Sequence, residues 1–362
     1  MDNYRDVEIL PVKAVGQSGT ETVDLAINEP LTALYIYFHV KNLAAVCNDV
    51  PPPIVISKIE IVDGGKVYYS CSGPEAMAAA VYDTAVWPSH FYNEGSAAGQ
   101  YVTIPVLFGR YLGDEEYAFS PGRLLNPQLK VTWAYNALHD ATAAYQLGVR
   151  VKAMQGVPAS SLALMTKSVR TFTSAASGTE ITDLPVDYDI RRLFVRNGPG
   201  NRYWAEVLTH FKLDCDVGKL IVFDMDQNRF LDVIRETFPS VELQMQTTCD
   251  SNEWHRSWLG NTMGVTCNFA VGGIIGGGWS ANAYRWQSVV STDAGALTTD
   301  QVATVSVRGW LPHSTLAYQF GRSGDPASWF KAHRYGQVRL ELTQGVVAQS
   351  IGVLLQRPTP LP

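Results

Sequence analysis

The sequence predicts an all-β protein: two tandem eight-stranded jelly rolls, with a few short helices and a long loop insertion in the second roll. Three observations carry this expectation. Short apolar alternations punctuated by Gly, Pro, Asn and Asp recur along the chain, as they do in sandwiches and barrels. One segment occurs twice, as Phe108-Gly109-Arg110-Tyr111-Leu112-Gly113-Asp114 and as Phe320-Gly321-Arg322-Ser323-Gly324-Asp325, and 16 positions separate Gly113 from Leu129 just as 16 separate Gly324 from Leu340. Flanking elements also repeat in the same order, which points to one structural unit built twice.

In chain order, residues 7–12 and 22–27 read as short strands around the turn Gly16-Gln17-Ser18-Gly19. Residues 31–40 form a nearly unbroken apolar run, expected to be a strand buried on both faces. Pro51-Pro52-Pro53 interrupts regular structure. Residues 59–69 then give an apolar alternation, an Asp/Gly turn ending in Gly65-Lys66, and a second β-rich run, the signature of a hairpin. Residues 211–222 repeat it around Gly218-Lys219. A short helical patch follows each hairpin, at 74–80 and at 229–235. Residues 101–106 alternate with Val102, Ile104 and Val106 on one face, and Leu129, Val131 and Trp133 share a face of the next strand. The closing strand of the first unit, with Leu147-Gly148-Val149, is answered by Ile351-Gly352-Val353 near the end of the second.

These anchors divide the chain into a first roll over residues 1–155, a linker rich in Ser, Thr, Ala and Gly over 156–183, and a second roll over 184–362. From Lys66 to Phe108 the first unit covers 42 positions, whereas Lys219 to Phe320 covers 101. The surplus lies at about 246–300 and is expected to be a tower-like loop. It contains Trp254, Trp258, Trp279 and Trp286 beside many glycines. Two uses of such aromatics are open: packing the excursion upon itself, or contacting a partner or glycan as exposed side chains.

Composition narrows the function. Charged residues make up 17% of the 362, against about 25% in typical soluble domains, so much of the chain is expected to be buried in its own core or against partners. Net charge is −6 with no basic block, which argues against direct nucleic-acid binding. Residues 1–6 are polar and acidic, unlike a secretory leader, and no apolar stretch is long enough for a membrane-spanning helix. Five cysteines without a Cys-x-x-Cys pair read as free thiols in a reducing cytoplasm.

Candidate chemistry fails on inspection. Asp224-Met225-Asp226-Gln227-Asn228 opens like a calcium loop, but Arg229 stands where the turn needs glycine and Arg235 where the bidentate glutamate belongs. Asp226 or Asn228 is expected instead to cap the following helix. The glycine run at 272–278 lacks the Gly-Lys-Ser/Thr ending of a phosphate loop. The histidines show no metal-ligand spacing, and His313 is expected to be a hydrogen-bonded structural residue. Asp114-Glu115-Glu116 is expected to be a solvated loop. No catalytic residue, metal or cofactor is expected, and the protein is read as a non-enzyme.

The matched hairpins, the paired Phe-Gly-Arg segments, Gly309-Trp310-Leu311-Pro312-His313 leading into the second copy, and the closing strand 351–355 together resemble the double jelly-roll major capsid proteins of tailless icosahedral viruses of bacteria and archaea that enclose an internal membrane. The resemblance spans residues 7–357. It implies a structural protein of the virion, made in the host cytoplasm, which forms pseudo-hexagonal homotrimers that tile an icosahedral capsid over a lipid membrane. It also implies partners: neighbouring trimers, vertex (penton) and minor capsid proteins, and the internal membrane or its proteins. A rival class is a carbohydrate-active protein on paired jelly rolls, which would need a cleft at the junction of the units lined by acidic and aromatic residues.

Overall fold

The computed structural model describes residues 4–43, 50–95, 97–137, 139–198, 204–249, 253–256, 258–260, 264–269, 274–278, 285–292, 295–296 and 301–362. At 205, and from 247 to 303 apart from 258–260, 265 and 266, it describes the backbone alone. The first roll contains β1 (Tyr4–Val15), β2 (Gly19–Asp24), β3 (Leu31–Lys41), β4 (Ile56–Asp63), β5 (Lys66–Cys71), helix α1 (Gly73–Thr84), β6 (Gly99–Leu107), β7 (Pro127–Trp133) and β8 (Tyr145–Met154). The second contains β9 (Leu162–Thr173), β10 (Thr179–Leu184), β11 (Arg192–Asn197), β12 (Leu208–Cys215), β13 (Leu220–Asp226), helix α2 (Gln227–Thr237), β14 (Thr315–Gln319), β15 (Val338–Gln344) and β16 (Ser350–Pro360).

The two rolls repeat each other across eight strands, to which the first adds the two-residue strand His90–Phe91 beside β6. In the first, ladders run β1-β8-β3-β6 and β2-β7-β4-β5; in the second, β9-β16-β11-β14 and β10-β15-β12-β13. The duplication reaches single residues: β1 slips register between Glu8 and Leu10 against β8, and β9 slips between Ser168 and Arg170 against β16. Each slip falls at the same place relative to Gly148 and Gly352, so the bulge was copied with the roll.

One contact turns the two rolls into a single body. β5 pairs in parallel with β9 at Ser70 and Lys167, which joins sheets of both rolls into a continuous run β2-β7-β4-β5-β9-β16-β11-β14. Within the expected linker, 156–183, lie β9 and nearly all of β10, the first two strands of the second roll. A Ser/Thr-rich run suits a strand when the partners on both sides supply the apolar contacts.

Alternation places the core. Val102, Ile104 and Val106 of β6 and Leu129, Val131 and Trp133 of β7 are at most 4% exposed. β3 is buried on both faces only from Leu31 to Leu34; Tyr35, Tyr37 and His39 are half-buried and alternate with buried Ile36, Phe38 and Val40. The expected two-faced burial thus holds for one end of the strand, where both faces are covered.

The helices match in place but not in environment. α1 is buried almost all round, from Ala76 to Tyr82, as an apolar helix must be. Pro74 occupies its first turn, and the Ser72 N–H donates to the Glu75 carboxylate at 2.7 Å. α2 buries only Gln227, Phe230 and Ile234, and is capped by Asp226, whose carboxylate accepts from the Arg229 N–H at 3.0 Å. Asp226 therefore serves as the expected cap.

The long insertion carries paired strands where a loop was expected. Val241–Cys249 pairs with Gln301–Gly309, which pairs with Gly264–Phe269. Glu253–Arg256 and Ile274–Gly278 both pair with Arg285–Thr292.

Candidate functional site

The seam between the rolls, together with the edges it leaves open, is the candidate functional region. The seam begins at the end of α1, where Tyr82 and Asp83 reach across into the second roll. The Tyr82 hydroxyl donates to Thr315 O at 2.7 Å and lies 3.1 Å from Trp310 O, while its ring meets Phe238 edge-on at 4.7 Å.

Beside it sits a buried charge cluster. Arg191 Nη1 donates to Asp83 Oδ1 at 2.7 Å and Arg192 Nη1 to the same oxygen at 2.8 Å, with all three side chains at most 4% exposed. Gln356 donates to the other Asp83 oxygen at 3.1 Å and accepts from Arg191 at 2.7 Å. Remaining guanidinium N–H groups go to Ser323 Oγ, Ser323 O and Gln319 Oε1. Burial pushes the Asp83 carboxyl up, but the two guanidiniums more than cancel this and leave it below the usual carboxylate range. Burial likewise pulls Arg192 down to about 10, with Asp83 opposing. Buried charges survive when paired and hydrogen-bonded in this way.

At one end of the seam, Arg110 holds Asp114 by two bonds of 2.7 Å and Glu116 by one of 2.8 Å, and reaches Gly324 O at 3.3 Å. Asp114 is 1% exposed, which corrects the solvated-loop expectation at that residue, where the carboxylate anchors the Phe-Gly-Arg turn; Glu115 and Glu116 are exposed as expected. Glycine is required in both copies of that turn. A Cβ on Gly109 would lie 2.6 Å from Asp114 Cβ, and one on Gly321, at φ +62, 2.2 Å from Ser328 O. The Leu164 N–H donates to Phe108 O at 2.9 Å, so the second roll closes this corner of the first.

At the other end, the aromatic loop after α1 clasps the root of the insertion. His90 places Nδ1 2.7 Å from Pro88 O and Nε2 2.7 Å from Gln244 O. The Gln246 N–H donates to Tyr92 O at 2.8 Å. His313 is buried here, at φ +46 in the two-residue turn before β14, with its ring 5.2 Å from Trp87 and 6.4 Å from Trp258. Among the described residues the expected side-chain hydrogen bond is not made: neither ring nitrogen has a partner there, and the ring packs against aromatic side chains. Burial pushes its pKa down to about 3, with Arg196 and His90 adding to the effect.

Of the four tryptophans whose two uses were open, Trp258 is 7% exposed and belongs to the core near His313, so it packs and is not an exposed contact. Trp254 and Trp286 lie on paired backbone strands with side chains outside the described residues, and Trp279 is outside them altogether. Sequence reasoning missed Asp83, Arg191 and Arg192. The signal was present as two adjacent arginines opening an apolar strand in a chain poor in charge. Among the described residues no cluster of His, Cys, Asp and Glu could hold a metal ion, and no helix is long and apolar enough to cross a membrane.

No protein-family model and no curated protein matches the chain. Solved structures do. The major capsid protein of Sulfolobus turreted icosahedral virus aligns over 99% of this chain and 97% of its own, with 10% identity and a TM-score of 0.63. VP54 of PBCV-1, in a structure fitted to a reconstruction of the virophage Sputnik, aligns over 99% and 94%, with 11% identity and a TM-score of 0.58. The major capsid protein of bacteriophage PM2 aligns over 99% and 98%, with 10% identity and a TM-score of 0.54. At such identities the likeness establishes the fold: both rolls, in one chain, in the arrangement of these proteins.

Proposed function

We propose that this double jelly-roll chain is a major capsid protein, a structural and non-catalytic subunit of a virion. The observation that carries the proposal is the whole-chain match to three viral proteins, two of them major capsid proteins, each aligned across 99% of this sequence. The subunit forms homotrimers whose six similar rolls make a nearly hexagonal block, and such blocks tile the facets of an icosahedral shell. In that shell the partners are neighbouring trimers, vertex and minor capsid proteins, and an internal membrane or the proteins in it. Assembly follows synthesis in the host cytoplasm. The subunit does not grip the genome directly, in keeping with its net charge of −6.

The junction weighs against the carbohydrate-active alternative. The carboxylate at its centre, Asp83, is locked between two arginines and closed to solvent, so the middle of the seam is filled where a glycan cleft would have to open. Electron microscopy and sedimentation of the purified protein test the proposal. Hexagonal trimers or shells are expected, and a monomer at micromolar concentration overturns it.

A further inference from the structure

The seam inside the chain uses one edge of each roll: β5 of the first and β9 of the second. Because the ladders are identical, this leaves the complementary pair unused. β13, the counterpart of β5, pairs only with β12, and β1, the counterpart of β9, pairs only with β8 among the described residues. We infer that β13 of one copy receives β1 of a second copy in the same parallel manner, with Asp224 beside Val7. The inference rests on the homotrimer proposed above and names its contact.

Register follows from the duplication. Ser70 lies two residues before the cap of α1, and Asp224 two residues before the cap of α2. Lys167 pairs with Leu355, three residues past Gly352, and Val7 pairs with Val151, three residues past Gly148. The Ser70–Lys167 pairing of the internal seam thus maps onto Asp224 and Val7.

Burial shows what each edge lacks. On β5, Tyr68 and Cys71 are each 2% exposed beneath the second roll, whereas their counterparts Val222 and Met225 on β13 stay half-buried. Ile221 and Leu220 on the same strand are 47% and 39% exposed. On the other edge, residues 164–166 of β9 are buried while their counterparts in β1, residues 4–6, are exposed. Edges of this kind pair with another chain unless blocked.

A cavity sits at the matching corner. Leu164 fills the corner made by Phe108 and Tyr117 in the first roll. The equivalent corner of the second roll, at Phe320 and Ser328, borders an open cavity of about 340 Å³ walled also by Val222, Tyr318 and Phe330. The counterpart of Leu164 is Tyr4, an aromatic residue 38% exposed at the start of β1. Tyr4 of the second copy is the occupant. The contact joins two different surfaces, so it is heterologous and closes only as a ring.

Paired cysteines test it. Adjacent strands place Cα atoms within disulfide range, so Val7→Cys with Asp224→Cys, oxidised as the assembled protein, is expected to give covalent trimers on a denaturing, non-reducing gel. A mixture of the two single variants is expected to stop at covalent dimers, and each single variant alone to match the parent. Cross-linking by either single variant alone, or a multimer in solution whose double variant stays uncross-linked, overturns the inference and leaves the capsid role standing. A parent protein that sediments as a monomer overturns both. Ile221→Lys gives a second measurement: unchanged thermal unfolding of the protomer with loss of the multimer is expected, and a retained multimer counts against the contact.

Discussion

Asp83 Oδ1 lies 2.7 Å from Arg191 Nη1, an ion pair between the two rolls in which both side chains are almost closed to solvent. Asp83→Asn leaves Arg191 and Arg192 buried without a counter-charge. The expected cost is about 3–5 kcal/mol, the usual penalty for removing one partner of a buried pair. Denaturant unfolding measures it, and an unchanged midpoint would mean that the cluster contributes nothing.

Acid acts on the fold through two buried histidines before it reaches Asp83. Burial pushes His139 down to about 4, against a hydrogen bond to Val50 O, and His313 down to about 3. Both are held neutral in the fold, whereas unfolded imidazole takes a proton near 6.5. The unfolded chain therefore binds more protons below about pH 6.5, and stability falls by roughly 1.4 kcal/mol per pH unit for each histidine until its folded pKa is passed. His313→Phe keeps an aromatic ring and is expected to shrink the stability difference between pH 7 and pH 5 by roughly 2 kcal/mol. Asp83 behaves as a carboxylate with a lowered pKa: its contribution is present above about pH 4 and is lost as pH falls through the folded value.

Gly321→Ala is expected to destabilise by at least about 1–3 kcal/mol, because the new Cβ would sit 2.2 Å from Ser328 O at a positive φ. Gly324→Ala in the same turn meets nothing within 4 Å and is the control, expected near zero. Thermal melts of the two variants side by side decide the matter.

The thiols of Cys71 and Cys215 are buried, and burial raises both, with Cys215 pushed up to about 11. Neither is expected to react with an aromatic disulfide reagent at pH 8 until the chain is unfolded. Mass-resolved labelling of the native protein checks this site by site.

The strand faces were legible because period-two alternation survives wherever one face is covered, as at Val102, Ile104 and Val106. The duplication was legible because Gly109 and Gly321 are each held by a close approach that admits no side chain. β9 was not legible. Its Ser, Thr and Lys resemble a linker, and its place is set by strands that flank it from the two different rolls. The charge cluster was hidden for a related reason: Asp83 and Arg191 lie 108 residues apart, and nothing local to either announces the other. Trp258 could be read as a projecting residue because it stands in the long insertion, while in space it rests near a buried imidazole.

The parallel join of β5 to β9 has a consequence for concentration. A seam within one chain forms in a first-order step and holds at any dilution, whereas a seam between copies strengthens only as copies accumulate. In a ring of three such chains, folding alone would complete every second joint. The abundance of the subunit would then set the moment at which the remaining joints close.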